Sequence, residues 1–229
     1  MNADADRPWK PWITYSLIGI NVAVFLFCVV VGVSPTSPDP VTMHNLGGSS
    51  KVATLGMGEW WRVITAAFLH YGVIHLALNM YSLFALGGPV ERMLGRPAYA
   101  SVYFVSALFG GVVSLITMGR NSVSAGASGA VFGVIGALGA YLLVHRARIE
   151  PEVWKREMMQ LGIMLAINLV YGFTNPGIDN GAHIGGLIAG AGATFLLARI
   201  EDDARKKRAW LVAAGGMATT LGLLFVLSR

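Results

Sequence analysis

Charged residues fall in clusters along this chain, and seven long uncharged stretches lie between them: 11–38, 63–90, 97–119, 121–145, 158–178, 180–198 and 209–228. Each supplies roughly 17 to 25 residues, enough to cross a hydrocarbon core about 30 Å thick as helix. The stretches are too long and too evenly apolar for the alternating strands of an outer-membrane barrel. Backbone groups in lipid must be satisfied within the segment, so the pattern predicts helices. The expected spans are 12–33, 68–87, 98–117, 128–144, 158–173, 182–199 and 210–227. A large soluble helical core is the competing arrangement, but it would need a polar face on most of these helices.

Composition agrees with the pattern. Of 229 residues, 55% are hydrophobic and 13% charged, and the mean hydropathy is +0.60, outside the range of soluble domains. The distribution of the 17 basic residues then orients the bundle. With a cytoplasmic N-terminus, Arg7, Lys10, Arg92, Arg96, Arg146, Arg148, Lys155, Arg156, Arg199, Arg205, Lys206, Lys207 and Arg208 all lie inside, leaving Lys51, Arg62, Arg120 and Arg229 outside. The positive-inside bias therefore predicts N-terminus in and C-terminus out. The net charge of +5 then faces membrane lipid headgroups rather than nucleic acid. The first stretch is too long for a signal h-region and has no small-residue cleavage site, so it reads as a retained span. Cys28, the single cysteine, reads as an apolar packing residue.

Polar groups at membrane depth must face a partner or a water-filled cavity, and so carry the functional reading. The second span offers His70, His75 and Asn79, the last two on one helix face; the fourth opens with Gly126-Ala127-Ser128-Gly129; the sixth offers His183 near its start. All three spans run from outside to inside in the deduced topology, so these groups can meet near the outer leaflet. A Ser128–His183 pair has the chemistry of a hydrolase: the imidazole accepts the hydroxyl proton as the oxygen attacks a carbonyl, then returns it to the leaving amine. The Asn79 amide and the Ser128 backbone N–H are candidate donors to the oxyanion, with His75 a further one. Asp179, four residues before His183, belongs to an outer turn and reads as solvated, which favours a dyad over a triad. Small residues in span four (Gly129, Gly133, Gly136) and span six (Gly185, Gly186, Gly190) permit close backbone approach. A glycine-rich interface without chemistry is the other reading of the same residues. Metal catalysis finds little support: His70 and His75 are five apart, and there is no HExxH run and no cysteine pair. No cofactor is expected.

The longest connection, 34–62, opens with turn formers and closes with Glu59-Trp60-Trp61-Arg62, which suits either interfacial anchoring or a place beside the site. These residues, with His70 to Asn79, Gly87-Gly88-Pro89-Val90-Glu91, Gly126 to Gly129 and Ala182 to Gly190, resemble a rhomboid intramembrane serine protease over about residues 9–198. The resemblance implies an all-α polytopic membrane protein: a six-helix core (12–199) after a short cytoplasmic tail (1–11), then a basic cytoplasmic linker (200–208) and an additional C-terminal seventh helix (209–229). It implies Ser128 as nucleophile, His183 as base, and His75, Asn79 and the Ser128 N–H as oxyanion hole. Gly126, Gly129, Phe132, Gly186 and Gly190 would support the site, with Trp61 and Arg62 in a lateral loop. Glu91 would tie the inner end of the second span to its surroundings, residues 174–181 would cap the cavity, and the fifth span would be a lateral gate. Phe132 stands where bacterial relatives commonly carry a tyrosine packed on the histidine. The implied substrates are single-span membrane proteins cut near the outer end of their helix. Short tails and a compact core suit a bacterial cytoplasmic membrane. The rival within the family is an inactive relative that binds client helices, but such relatives typically lack the serine, the histidine or both. A transporter would call for paired inverted repeats, which are not evident.

Overall fold

Helices carry most of the described chain: α1 (Trp12–Val30), α2 (Pro40–Asn45), α3 (Arg62–Ala66), α4 (Val73–Leu94), α5 (Arg96–Thr117), α6 (Ser128–Val144), α7 (Pro151–Thr174), α8 (Asn180–Leu197) and α9 (Asp202–Leu227). This computed structural model describes residues 9–175, 177–200 and 202–229. Arg7 of the tail, Pro176 of the outer turn and Glu201 of the basic run lie outside the described residues. By length and composition, α1, α4, α5, α7 and residues 204–227 of α9 are each able to cross a membrane. Helices α6, with 17 residues, and α8, with 18, are the short, glycine-rich ones. The chain is an all-α, multi-spanning integral membrane protein.

Tertiary hydrogen bonds set several helix ends away from where hydropathy alone puts them. Gly72 adopts φ +93° ahead of α4, a left-handed geometry that ends any helix coming from residue 68. Pro89 lies inside α4, which continues to Leu94, as membrane helices permit where neighbours satisfy the freed backbone. Helix α7 starts at Pro151, seven residues before the apolar stretch, because the Glu150 carboxylate caps Val153 N–H at 2.8 Å. Helix α9 takes in the basic run from Asp202 onward, so most of the expected linker is helical.

The start of α1, the end of α4 and the start of α5 are knitted by one carboxylate. Helix α1 begins after Pro11 without a side-chain cap; Glu91 of α4 supplies one instead. It accepts from Ile13 N–H (3.1 Å), Thr14 N–H (2.8 Å) and the Thr14 hydroxyl (2.8 Å), with Arg96 at 3.8 Å. Gly87 leaves room for the contact, since a Cβ there would strike Tyr99 Oη and Thr14.

Helices α5, α6 and α8 form the tightly packed centre. Helix α1 lies on α4, and α9 runs along α5 while scarcely touching α8. Helix α7 is peripheral: only Leu161 and Gly172 are buried along it. Its Ile163, Ile167 and Val170 are exposed, as suits a lipid-facing helix.

The 34–62 connection is folded. Asp39 caps α2 through Thr42, whose hydroxyl and N–H hydrogen bonds hold the Asp39 carboxyl below its usual range. A π-helical turn (Lys51–Gly56) follows. Ser49 then pairs antiparallel with Ser124, tying this loop to the segment that leads into α6.

Candidate active site

Helix α6 is short, and that decides where Ser128 lies. Seventeen residues rise about 26 Å, less than a hydrocarbon core of about 30 Å. Arg146 and Arg148 follow the Val144 end and belong at headgroup level, so the Ser128 end falls short of the opposite surface. The chain reaches that depth through 119–127, whose backbone is held by the Ser49–Ser124 pairing and by Gly126 N–H on Ala66 O at 2.8 Å. No side chain caps α6, and the N–H groups of a helix's first turn have no intrahelical acceptor. Ser128 is half-buried at this head.

Gly126 brings His75 to the same place. It adopts φ +144°, and a Cβ there would lie 2.8 Å from His75 Cε1, 3.0 Å from His75 Nε2 and 3.7 Å from Ser128 Oγ. The other ring nitrogen settles the tautomer: Tyr71 N–H donates to His75 Nδ1 at 3.2 Å. A neutral imidazole has one N–H, so that proton sits on Nε2, beside Gly126 and Ser128. Asn79, buried one turn on, donates to His75 O at 2.9 Å. His70 takes the opposite tautomer. Its Nδ1–H faces Phe68 O at 3.3 Å, and its Nε2 accepts Ala127 N–H at 3.5 Å. His70 thus braces the residue before Ser128 and meets His75 edge to face at 5.2 Å.

His183 sits in the first turn of α8, buried, its ring stacked on Phe132 at 4.1 Å and 8°. Among the described residues its Nδ1 has no hydrogen-bond partner, so stacking sets the plane of the ring. The glycines bring the two helices together. A Cβ on Gly186 would collide with Gly129 O, one on Gly190 with Gly133 O, and one on Gly129 would lie 3.3 Å from Ala182 O. Gly129 and Ala182 are the neighbours of Ser128 and His183, so the two polar residues occupy adjoining helix heads. No hydrogen bond joins Ser128 to His183 among the described residues.

Asp179 is where sequence reasoning went astray. It is half-buried, not solvated, and its carboxylate makes three connections. Oδ1 caps α8 through Ala182 N–H at 2.9 Å. Oδ2 accepts from Ser124 Oγ at 2.5 Å, on the segment leading to Ser128, and from Ser114 Oγ near the end of α5. Sequence separation hid this, because both serine partners lie more than fifty residues away. Beside this clasp a cavity of about 20 Å³ lies between Ser49, Ser124, Gly126, Gly129 and Ala182, room for one water.

The Trp61–Arg62 pair divides its roles. Trp61 is 49% exposed and Arg62 only 7%, so the tryptophan faces outward while the arginine is internal. Arg62 donates to Glu59 (2.5 Å), Gly48 O (3.0 Å) and His44 O, and lies over the Trp61 ring at 4.8 Å. It clamps the loop rather than reaching the site. Among the described residues no three His, Cys, Asp or Glu side chains group as metal ligands.

A rhomboid domain model matches residues 57–200. The chain belongs to the rhomboid family. It is 33% identical over 216 residues to "Rhomboid protease GluP" of Bacillus subtilis (strain 168), an alignment covering 94% of this chain and 40% of that protein. Identity is 30% over 215 residues to "RHOMBOID-like protein 4" of Arabidopsis thaliana, covering 83% and 54%. With "RHOMBOID-like protein 5" of the same plant it is 32% over 215 residues, covering 83% and 69%. The chain therefore spans about half the length of the first two. The rhomboid match contains every residue of the α6 and α8 heads and stops before α9.

Proposed function

We propose that the protein is an intramembrane serine endopeptidase that cleaves single-span membrane proteins near the outer end of their transmembrane helix. The supporting observation is the meeting, at the uncapped head of α6, of Ser128, the Nε2–H face of His75 and the α8 head that carries His183 on Phe132. Ser128 Oγ attacks the scissile carbonyl carbon while His183 takes its proton. Negative charge gathers on the carbonyl oxygen, facing the Ser128 N–H, His75 Nε2–H and Asn79 Nδ2. The positive end of the α6 dipole adds to them. His183 then protonates the leaving amine, and water hydrolyses the acyl-enzyme by the same steps.

The rest of the reading follows from access. A substrate helix has its amides internally bonded, so it must unwind locally before hydrolysis. The loosely packed α7 is the side on which such a segment reaches the site from lipid, beneath the 174–181 turn. The N-terminus lies in the cytoplasm and the C-terminus outside, with six core helices plus a seventh, in a bacterial cytoplasmic membrane. The test uses purified full-length protein in mild detergent or lipid with a single-span substrate. Ser128→Ala and His183→Ala abolish cleavage, and Ser128→Ala abolishes labelling by a fluorophosphonate, with thermal stability unchanged. Cleavage undiminished in Ser128→Ala, with contaminating proteases excluded, overturns the assignment and favours a client-binding role.

A further inference from the structure

Helix α9 leaves an unfilled cleft. It packs along α5 but scarcely touches α8, and the space between them is a groove of about 540 Å³. Val105 and Phe109 of α5 form its floor, and residues of α8 and α9, among them Ile188, Leu196, Leu211 and Gly215, form its walls. Arg208 closes one end and Thr219 the other; all remaining lining is apolar or glycine. Along α9, Arg208 to Thr219 spans about 16 Å at the helical rise.

We propose that this groove binds one anionic glycerophospholipid, an acyl chain lying between α8 and α9 and its phosphate on Arg208. The lining indicates the occupant: an apolar groove with one cation at its end matches an amphiphile with a hydrocarbon chain and an anionic head. The charges separate the lipids. Arg205 spends its guanidinium on the carbonyls of Met93, Leu94 and Ile200. Arg208, exposed at the groove's end, has no hydrogen bond or ion pair among the described residues. Ser101 Oγ on Ala209 O at 2.8 Å pins α9 to α5 next to it, so the cation is presented from a fixed backbone. Basic pockets between membrane helices at headgroup level recognise anionic headgroups.

The inference is independent of any role for Ser128, and so is its test. Full-length protein is equilibrated with equal amounts of phosphatidylglycerol and phosphatidylcholine in mild detergent, and retained lipid is read by native mass spectrometry. One phosphatidylglycerol per chain is expected to persist, preferred about fivefold, and Arg208→Gln removes the preference. Gly215→Leu fills the groove, since a Cβ there meets nothing within 4 Å, and lowers retention of both lipids without lowering the thermal midpoint. Inorganic phosphate, which lacks the chain, does not displace the lipid. A phosphatidylglycerol preference that survives Arg208→Gln, retention unchanged in Gly215→Leu, displacement by phosphate, or a lipid-free two-chain species each overturns the proposal.

Discussion

Replacing Asp179 by alanine tests whether a single carboxylate holds the two halves of the candidate site in register. The substitution removes the α8 cap on Ala182 N–H and the acceptor shared by Ser124 and Ser114. A lost N-cap costs about 1 kcal/mol, and each hydrogen bond to a charged group contributes about 1.5–3 kcal/mol. Simple addition gives about 4–7 kcal/mol, which is too large here. Asp179 is half-buried, so water can replace part of the loss, and Ser114 can turn back to a carbonyl of its own helix. We expect about 2–3 kcal/mol of destabilisation, read as a lower thermal midpoint in detergent. Function should fall further, because Ser124 leads into Ser128 and Ala182 precedes His183. A shift of about 1 Å between reacting groups costs on the order of 10²-fold in rate. The readouts are kcat on a single-span substrate and the rate of Ser128 labelling by a fluorophosphonate, both expected to drop together with KM little changed. Asp179→Asn keeps an oxygen for the cap and should be intermediate. Ser124→Ala should add nothing in the Asp179→Ala background, as coupled partners do in a double-mutant cycle. An unchanged midpoint and labelling rate in Asp179→Ala would refute the argument and return Asp179 to the status of a solvated turn residue.

Other perturbations probe other joints. Glu91→Ala leaves Ile13 and Thr14 donors buried without their acceptor and should destabilise the bundle by about 3–5 kcal/mol; Glu91→Gln, which keeps one acceptor oxygen, should lose less, both read by thermal unfolding. Gly186→Ala and Gly190→Ala force a methyl into the α6 backbone, an overpacking of about 1–3 kcal/mol that should also lower proteolysis. Gly192→Ala, whose methyl meets nothing within 4 Å, should be neutral or slightly stabilising in the same assays. Phe132→Ala removes the ring that sets the His183 plane and should slow Ser128 labelling roughly 10-fold, whereas Phe132→Tyr should stay near the parent rate; equal rates for Ala and Phe would show that stacking is dispensable.

What could be read from the sequence was what repeats locally. The start of α6 at Ser128 was legible because a run of small residues there meets an unbroken apolar stretch. So was the α6–α8 contact, since Gly129 and Gly133 on one helix and Gly186 and Gly190 on the other each recur every four residues, placing them on one face. Helix ends were less legible. The starts of α7 and α9 lie among charged residues, where hydropathy carries no signal and capping by Glu150 or simple helix continuation decides. The start of α4 was misplaced because one glycine at positive φ overrides a run of apolar neighbours.

Three charged residues share a physical character that explains their importance. Glu91, Arg62 and Asp179 stand at helix ends or in a loop; the family resemblance marks Glu91 as a tie between helices and Arg62 as part of the lateral loop, whereas Asp179 reads from sequence as solvated. Each turns inward: Arg62 to Glu59 and to loop carbonyls, Glu91 to donors at the start of α1 more than fifty residues away, and Asp179 to its own helix start and to two serines more than fifty residues away. Lipid offers no water to satisfy the first-turn donors of a buried helix end, so a short helix such as α8 needs an acceptor brought to it. α1 meets the same need through a partner helix, α8 through its own Asp179. The head of α6, like those of α4 and α5, has no side-chain cap from its own N-cap residue, and the donors left there lie at Ser128. In a bundle that otherwise supplies acceptors at the heads of α1 and α8, an uncapped helix head beside a serine is the place where a developing oxyanion would take the role of the missing cap.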